Sequence, residues 1–231
     1  MNKSLREIDL THKTDKIRHH GYHRFYPIYL EHLRDKKFAM LEIGIYKGES
    51  LKMWKDYFPK ASIYGIDIKE GYKYDKGEVF KGSQADSKFL GKIVKEIGKK
   101  VSFIIDDGSH KPEHQILTFN FLFPNLLKQG GIYIIEDIET SYWKKGIYHG
   151  YTVKCGYEHK NNVVNIFKRL IDNLNKEFIS DNEIKYPKQI PTEISDDIGL
   201  ISFQYNSVII IKKDKSFAKF ENRKYRFSKY M

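Results

Sequence analysis

The sequence contains very little cysteine, and this excludes several kinds of protein. Cys155 is the only cysteine among 231 residues, so an intrachain disulfide and a cysteine-based metal cluster are both excluded. No apolar run approaches the roughly 20 residues that are needed to span a bilayer, and the N-terminus lacks the apolar core of a signal peptide. We therefore expect a cytoplasmic protein with no membrane span.

Arginine is also scarce, since only seven of the 41 basic residues are arginine. The formal net charge of +11 would by itself suggest a nucleic-acid partner. The lysines, however, are spread evenly from end to end rather than clustered on one segment. We interpret the charge as a compositional bias and expect no nucleic-acid partner, although a basic surface would also favour an anionic substrate.

The stretch from Lys37 to Asp67 predicts a strand, a glycine loop, a helix and a second strand. Residues 38–43, which are apolar except for Glu42, lead to a loop with Gly44 and Gly48, and the second apolar run ends on Asp67. A glycine turn lets the backbone approach a ligand closely, and the N-terminus of the following helix offers free N–H groups. An acid at the end of the second strand can accept hydrogen bonds from both hydroxyls of a ribose. The pattern therefore predicts a site for a nucleotide-containing cofactor.

Alternation of apolar runs with helical patterns continues along the chain and predicts a mostly parallel sheet with right-handed crossovers. Further strands are predicted at 79–80, 101–105, 132–135, 198–203 and 207–211. A helix is predicted over 114–127 and is expected to stop at Gln129–Gly131. The last two strands flank a tight turn and predict an antiparallel hairpin that closes the sheet. We expect an α/β fold with a Rossmann-like seven-stranded sheet and helices on both faces.

The segments on either side of this core have weaker patterns. Residues 1–36 are polar and rich in histidine and tyrosine, and they suit a helical lid over a polar pocket. Within them Phe25, Tyr29 and Leu33 recur every four residues and predict one helix face. Residues 138–160 look like an aromatic loop, and residues 161–178 predict one amphipathic helix.

Acidic side chains stand at the predicted ends of neighbouring strands, where ligands of such sheets bind. Asp107, Glu136 and Asp137 would bring three carboxylates together, and such groups repel one another and raise each other's pKa. A hard divalent cation with oxygen ligands, most simply Mg²⁺, would remove this repulsion. His110 follows on the same loop as Asp107, and imidazole can accept a proton near neutral pH.

Several of these motifs resemble one known family. The segments that carry the resemblance are Glu42-Ile43-Gly44-Ile45, Ser50-Leu51-Lys52-Met53-Trp54, Asp106-Asp107-Gly108-Ser109-His110, Ile135-Glu136-Asp137 and Thr140-Ser141-Tyr142-Trp143. Together they resemble the class I, metal-dependent sugar O-methyltransferases of the mycinamicin and demethylmacrocin types, which use S-adenosylmethionine. The likeness covers residues 11–143 densely and returns around 201–213.

The resemblance implies a role for each matching residue. It implies Asp107, Glu136 and Asp137 as ligands of Mg²⁺ or a similar divalent cation, and His110 as the catalytic base. The cofactor-binding residues that it implies are Thr14, Asp15, Glu42, Gly44, Gly48, Ser50, Asp67, Ser83, Gln84 and Asp107. Of these, the first two would close over the cofactor, and Ser83 and Gln84 would lie near the adenine.

The resemblance also implies a division of the chain and a function. Residues 1–36 would be the helical lid and residues 37–231 the methyltransferase domain, with 144–200 as an insert that selects the acceptor. The expected reaction is methylation of a hydroxyl on a sugar, nucleotide-sugar or glycoside. The lysine-rich composition, which resembles that of an AT-rich genome, further suggests a role in surface-polysaccharide or glycoside biosynthesis rather than on a macrolide. A homo-oligomer is left open.

Two alternative functions remain at this point. An NAD-dependent oxidoreductase would share the sheet, but the spacing Glu-x-Gly-x-x-x-Gly differs from that of a dinucleotide site. A nucleic-acid methyltransferase or binding module is suggested by the charge alone.

Overall fold

The computed structural model describes residues 3–69, 71–74, 77–144, 146–148, 150–179 and 186–214. The strands, in chain order, are β1 (Ala39–Ile43), β2 (Ser62–Asp67), β3 (Tyr72–Tyr74), β4 (Gly77–Lys81), β5 (Val101–Asp106), β6 (Leu127–Glu136), β7 (Gly146–Tyr148), β8 (Tyr151–Val153), β9 (Ile198–Gln204) and β10 (Ser207–Lys212). The α-helices are α1 (Leu5–His12), α2 (Asp15–Arg18), α3 (Tyr26–Leu30), α4 (Glu49–Tyr57), α5 (Ser87–Ile97), α6 (Pro112–Asn125), α7 (Val163–Arg169), α8 (Ile171–Leu174) and α9 (Thr192–Asp196). Short 3₁₀ helices lie at Tyr22–Arg24, Glu31–Leu33, Ile138–Ser141 and Lys176–Phe178.

The main sheet has the predicted α/β architecture. Its strand order is β3-β4-β2-β1-β5-β6-β10-β9, and the five strands from β4 to β6 are parallel. Strand β10 runs antiparallel to both β6 and β9, which confirms the predicted closing hairpin. The seven predicted strands are all present. An eighth, β3, pairs antiparallel with β4 at the edge and was not predicted, because three residues are too few to show a periodic pattern.

Alternate side chains of the central strands pack into two hydrophobic cores, one on each face of the sheet. In β1, Leu41 and Ile43 belong to the core that contains α5, α6 and α7, whereas Met40 belongs to the core with α1, α3 and α4. In β5, Ile104 likewise faces the first core and Phe103 the second. This alternation follows from the two-residue repeat of a strand. It confirms the prediction of helices on both faces.

The predicted stop of the central helix was wrong. Helix α6 ends at Asn125, and Gln129 to Gly131 lie inside β6 rather than in a helix cap. The strand extends this far back because Leu127 pairs with Val101 at the start of β5. A register shift in this pairing accommodates the glycines.

The N-terminal segment also differs in detail from the prediction. Its buried face is formed by Tyr22, Tyr26 and Leu30, each of them 0% exposed, whereas Phe25 and Tyr29 are only partly buried. The reason is that the segment alternates 3₁₀ and α turns, so the buried positions do not follow one continuous helix. Its side chains join the core beneath α4.

Two further predictions concern the region after β6. The predicted helix over 161–178 is broken at Leu170 into α7, α8 and a 3₁₀ turn. Part of the predicted aromatic loop forms the β7–β8 hairpin.

Residues 215–231, at the end of the predicted domain, lie outside the described residues. Among the helices that the structure describes, none has the length and the apolar character of a membrane-spanning segment.

Candidate active site

The site forms where the loops after β1 and β5 meet. Gly44 has a φ of 85°, and a Cβ at this position would collide with the carbonyl oxygen of Asp107. The Asp107 amide donates to the Ile43 carbonyl at 2.9 Å, and the Gly44 amide donates to the Ile66 carbonyl at 2.8 Å. Only glycine permits both this left-handed conformation and such a close approach. The first glycine of the predicted loop therefore brings two strand ends together.

A cavity of about 890 Å³ opens at this edge of the sheet, a size typical of small-molecule sites. The predicted cofactor-binding residues that line it are Thr14, Asp15, Gly44, Ser50, Asp67, Ser83, Gln84 and Asp107. The other two predicted residues do not line the cavity themselves, but each of them adjoins residues that do. Glu42 is 0% exposed and accepts a hydrogen bond from the Ser50 hydroxyl at 2.9 Å. Gly48, with a φ of 80°, precedes the first residue of α4. Eight of the ten predicted cofactor-binding residues thus line one cavity, and their contact with a cofactor stays a prediction.

Asp67 holds the glycine loop in place. Its Oδ2 atom accepts hydrogen bonds from the amides of Ile45 and Tyr46, both at 3.0 Å. Its Oδ1 atom accepts from the amide of Lys69 at 2.7 Å. The carboxylate therefore links the end of β2 to the loop after β1. Its predicted contact with a ribose stays a prediction.

Gln84 braces the loop that carries His110. Its Nε2 atom donates to Asp106 Oδ1 at 2.9 Å, and its Oε1 atom accepts from the Ser109 amide at 2.7 Å. Asp106 is fully buried, and this burial raises the pKa of its carboxyl group to about 7. Because Nε2 and Oε1 of Gln84 both make hydrogen bonds within the protein, this side chain stabilises the conformation of the loop. Its predicted proximity to the adenine stays a prediction.

Asp107, His110 and Asp137 form a group whose potential ligand atoms all lie within 4.8 Å of one another. His110 Nε2 is 3.9 Å from Asp137 Oδ2. Both residues have left-handed backbones, with φ values of 52° and 51°. Burial raises the pKa of the Asp137 carboxyl, and the negative charge of Asp107 acts in the same direction. Two crowded carboxylates beside an imidazole fit a divalent cation, which would relieve that repulsion.

Glu136, the third predicted metal ligand, lies outside this group. Its Oε1 atom accepts a hydrogen bond from the Tyr26 hydroxyl, and its Oε2 atom lies 2.5 Å from the ammonium nitrogen of Lys16. Burial, together with the charge of Glu136, raises the pKa of Tyr26 well above its usual value, so the phenol remains a donor. Glu136 can serve as a ligand only if these partners release one oxygen, and that role stays a prediction.

Lys16 was not predicted as a site residue, yet it lies between three of the acids. Its ammonium nitrogen is 2.5 Å from Asp107 Oδ2 and 3.3 Å from Glu42 Oε1, in addition to its contact with Glu136. Only 2% of its side chain is exposed. Lys16 falls within residues 11–143, where the resemblance is dense, but nothing in the sequence indicated which cation would neutralise the acids. The excess of acidic residues at the strand ends was the sequence feature that could have indicated a neutralising cation.

Tyr22 and Asn206 were also missed, and both support Asp137. The Tyr22 hydroxyl donates to Asp137 Oδ1 at 2.9 Å, and Asn206 Nδ2 donates to the same oxygen at 3.0 Å. The Oδ2 atom of Asp137 is left facing His110.

No protein-family model matches the chain. The chain is 31% identical to the 8-demethyl-8-alpha-L-rhamnosyl tetracenomycin-C 2'-O-methyltransferase of Streptomyces olivaceus, over 92% of this chain and 55% of that protein. It is 32% identical to the mycinamicin VI 2''-O-methyltransferase of Micromonospora griseorubida, over 84% of this chain and 49% of that protein. The chain thus spans about half the length of these relatives.

The chain is also similar to a solved structure, again over most of its own length and about half of the other chain. The MycE methyltransferase of the mycinamycin biosynthetic pathway, in complex with Mg, SAH and mycinamycin VI, superposes with a TM-score of 0.76 at 27% identity. The match covers 92% of this chain and 55% of that one. On this sequence and structural similarity, the homologues of the chain are sugar O-methyltransferases of the mycinamicin and demethylmacrocin types.

Proposed function

We propose that the chain is an S-adenosylmethionine-dependent O-methyltransferase that uses a divalent cation, most simply Mg²⁺, and methylates a sugar hydroxyl. The observation that carries this proposal is the grouping of Asp107, His110 and Asp137 within 4.8 Å, at the edge of the cavity behind the glycine loop. The similarity to these methyltransferases supports the same reaction. The relatives' names describe methylation of sugars attached to small molecules.

His110 is the proposed general base. As the methyl group moves from the sulfonium sulfur to the acceptor oxygen, the carbon–sulfur bond breaks and the carbon–oxygen bond forms. The imidazole accepts the hydroxyl proton, and S-adenosylhomocysteine is the second product. Asp137 Oδ2, 3.9 Å from His110 Nε2, stabilises the imidazolium that results.

Asp107 and Asp137 are the proposed cation ligands, and Glu136 would join them if Lys16 or Tyr26 moved. A divalent cation at this position would orient neighbouring sugar hydroxyls and lower the pKa of the one that is methylated. Asp137 has one oxygen available for this task, because Tyr22 and Asn206 occupy the other. Lys16 neutralises part of the negative charge of the acids. The negative charge that remains on them favours the binding of one divalent cation.

The proposed acceptor is a glycoside, in line with the names of the relatives. A surface polysaccharide or a nucleotide-linked sugar was suggested by the basic, lysine-rich composition, and both belong among the acceptors to be screened. Residues 144–200, the predicted acceptor insert, include the β7–β8 hairpin and helices α7 to α9. The predicted lid role of residues 1–36 is supported by the position of residues 12–16 in the cavity lining.

Methyl transfer from isotope-labelled S-adenosylmethionine to a panel of glycosides and sugar nucleotides tests this function. We expect a methylated sugar and S-adenosylhomocysteine in equal amounts. His110→Ala should slow transfer by at least about 10²-fold, as expected for a general base, while cofactor binding is retained. An unchanged rate in this variant would reject His110 as the base.

The alternative of an NAD-dependent oxidoreductase is tested by calorimetric titration with each cofactor. The closing β9–β10 hairpin favours the methyltransferase. Binding of NAD and not of S-adenosylmethionine would reject the proposal. A nucleic-acid methyltransferase or binding module would instead require tight, salt-dependent binding to RNA or DNA.

A further inference from the structure

Lys111 differs from the other lysines that line the large cavity, which are Lys13, Lys16, Lys47 and Lys69. Lys16 is paired with the acids of the site, and the other three are exposed to solvent. Lys111 is only partly exposed, and among the described residues no carboxylate forms an ion pair with it. Its ammonium group is therefore available to a charge on a ligand.

This lysine lies next to the proposed catalytic base. Lys111 directly follows His110 in the sequence, so their Cα atoms are about 3.8 Å apart, and both residues line the cavity. The His110 carbonyl accepts a hydrogen bond at 2.7 Å from the hydroxyl of Thr140, which is buried. The backbone that carries Lys111 is thus fixed relative to the base. One small ligand can contact both side chains.

A hydrogen-bonded pair, Ser109 and His114, lines the same cavity. Ser109 Oγ lies 2.9 Å from His114 Nδ1. If the serine hydroxyl donates to a neutral imidazole, the proton of the ring is on Nε2. If Nδ1 carries the proton and donates, the serine hydroxyl keeps its own proton for another acceptor. In either tautomer the pair retains one donor for a ligand.

The charges of two lysines act at the position of this pair. Burial lowers the pKa of His114, and the charge of Lys111 lowers it further. Glu113 acts in the opposite direction and Lys154 again lowers the pKa, but Glu113 lines a different cavity. A positive potential beside a hydrogen-bond donor favours an anion.

The acids near His110 have partners of their own. Asp107 Oδ2 lies 2.5 Å from the ammonium nitrogen of Lys16, and Asp137 Oδ1 accepts hydrogen bonds from Tyr22 and Asn206. Lys16 and the divalent cation of the proposed site together offset the negative charge of these acids. They therefore do not exclude an anion on the Lys111 side of the base.

We propose that Ser109, Lys111 and His114 form a subsite for an anionic group, a phosphate or a carboxylate, on the sugar that is methylated. This inference rests on the proposed function, and it narrows the acceptor to a sugar or glycoside that carries a negative charge. Lys111 pairs with the anion, and the Ser109–His114 pair adds a charge-assisted hydrogen bond, which is stronger than one between neutral groups. A neutral acceptor would leave Lys111 without a partner.

Binding of matched sugars tests the subsite. Methyl α-D-glucopyranoside is neutral, methyl α-D-glucuronide carries a carboxylate, and α-D-glucose 1-phosphate carries a phosphate. The corresponding galactose and mannose derivatives extend the panel to other arrangements of the hydroxyls. Dissociation constants would be measured by calorimetry on the full chain, with S-adenosylhomocysteine and Mg²⁺ present. We expect an anionic sugar to bind about tenfold more tightly than its neutral counterpart, on the scale of one hydrogen bond to a charged group. The series that shows the preference identifies the anion as carboxylate or phosphate.

Variants separate the lysine from the divalent cation, which also attracts anions. Lys111→Gln removes the charge and should abolish the preference, whereas Lys111→Arg keeps the charge and should retain it. Ser109→Ala/His114→Phe removes the donor and should weaken the preference. Lys92→Gln removes an exposed lysine from α5, away from the cavity lining, and should behave like the wild type. A wild type without the preference, or a Lys111→Gln variant that keeps it, would overturn the subsite.

Methyl transfer distinguishes this failure from a failure of the proposed function. If neutral sugars are methylated as efficiently as their anionic counterparts, the subsite is wrong and the proposed function stands. If no sugar in this panel or in the wider glycoside screen is methylated, the proposed function fails. For an anionic acceptor, the subsite predicts that Lys111→Gln raises KM with little change in kcat, because the contact is made equally in the ground state and the transition state.

Discussion

Asn206 Nδ2 donates a hydrogen bond to Asp137 Oδ1 at 3.0 Å, across 69 residues of sequence. Asn206 lies in the turn between β9 and β10 and has a φ of 53°. Its Oδ1 atom accepts from the Glu139 amide at 2.8 Å, and its carbonyl accepts from the Ile138 amide at 3.3 Å. The closing hairpin thus supports the loop that presents Asp137 to His110, and Asp137 itself has a left-handed backbone.

The first prediction concerns this support. Asn206→Gly keeps the left-handed turn accessible but removes the side-chain hydrogen bonds to Asp137 and Glu139. We expect Mn²⁺, used as a probe of the divalent site, to bind about 10- to 100-fold more weakly, as is usual when a group that orients a metal ligand is lost. Calorimetric titration measures this change. Tyr205→Ala, in the same turn and 63% exposed, is the control and should bind Mn²⁺ like the wild type. Equal affinities in Asn206→Gly and the wild type would contradict the supporting role.

The second prediction concerns the charge of Lys16. Lys16→Met leaves Glu42, Asp107 and Glu136 without the cation that they now share. Removing one partner of a buried ionic group costs about 3–5 kcal/mol, so we expect a loss of this order in the free energy of unfolding. Denaturant unfolding at neutral pH measures it. Arg18→Met, which removes an exposed cation from the same helix, should have little effect. A Lys16→Met protein as stable as the control would show that the acids do not need this lysine.

The third prediction concerns Gln84. Gln84→Ala leaves buried Asp106 without its amide donor and the Ser109 amide without its acceptor. An unsatisfied buried polar group costs about 1–3 kcal/mol. We therefore expect lower stability and weaker binding of S-adenosylmethionine, because the Ser109 loop lines the cavity. Thermal unfolding and calorimetry check the two effects. Ser87→Ala, at an exposed position, serves as the control, and a Gln84→Ala variant that behaves like it would exclude the bracing role.

The fold followed from the sequence because strand periodicity is a local property. The two-residue repeat of β1 and β5 and the strand-turn-strand pattern of β9 and β10 were sufficient to predict the sheet and its closure. The breaks near Leu170 and the mixed turns around Tyr26 were not predictable in this way, because packing against other elements decides them.

The site was only partly predictable, for a physical reason. Strand ends marked Asp107, Glu136 and Asp137 as neighbours, but their donors come from remote segments. Lys16 is 91 residues from Asp107, and Tyr26 is 110 residues from Glu136. Nothing local distinguishes these donors from surface residues. For the same reason, the sequence could not indicate that Glu136 would be engaged by Lys16 and Tyr26 while His110 joined the group of Asp107 and Asp137.

A divalent cation held between Asp107 and Asp137 beside His110 is the central element of the proposed site. Calorimetric titration of chelator-treated protein with Mn²⁺ tests this directly, without knowledge of the acceptor. We predict that the wild type binds one ion, that Asp137→Asn loses this binding, and that His110→Ala retains it. Absence of binding to the wild type, or equal binding to Asp137→Asn, would contradict the account.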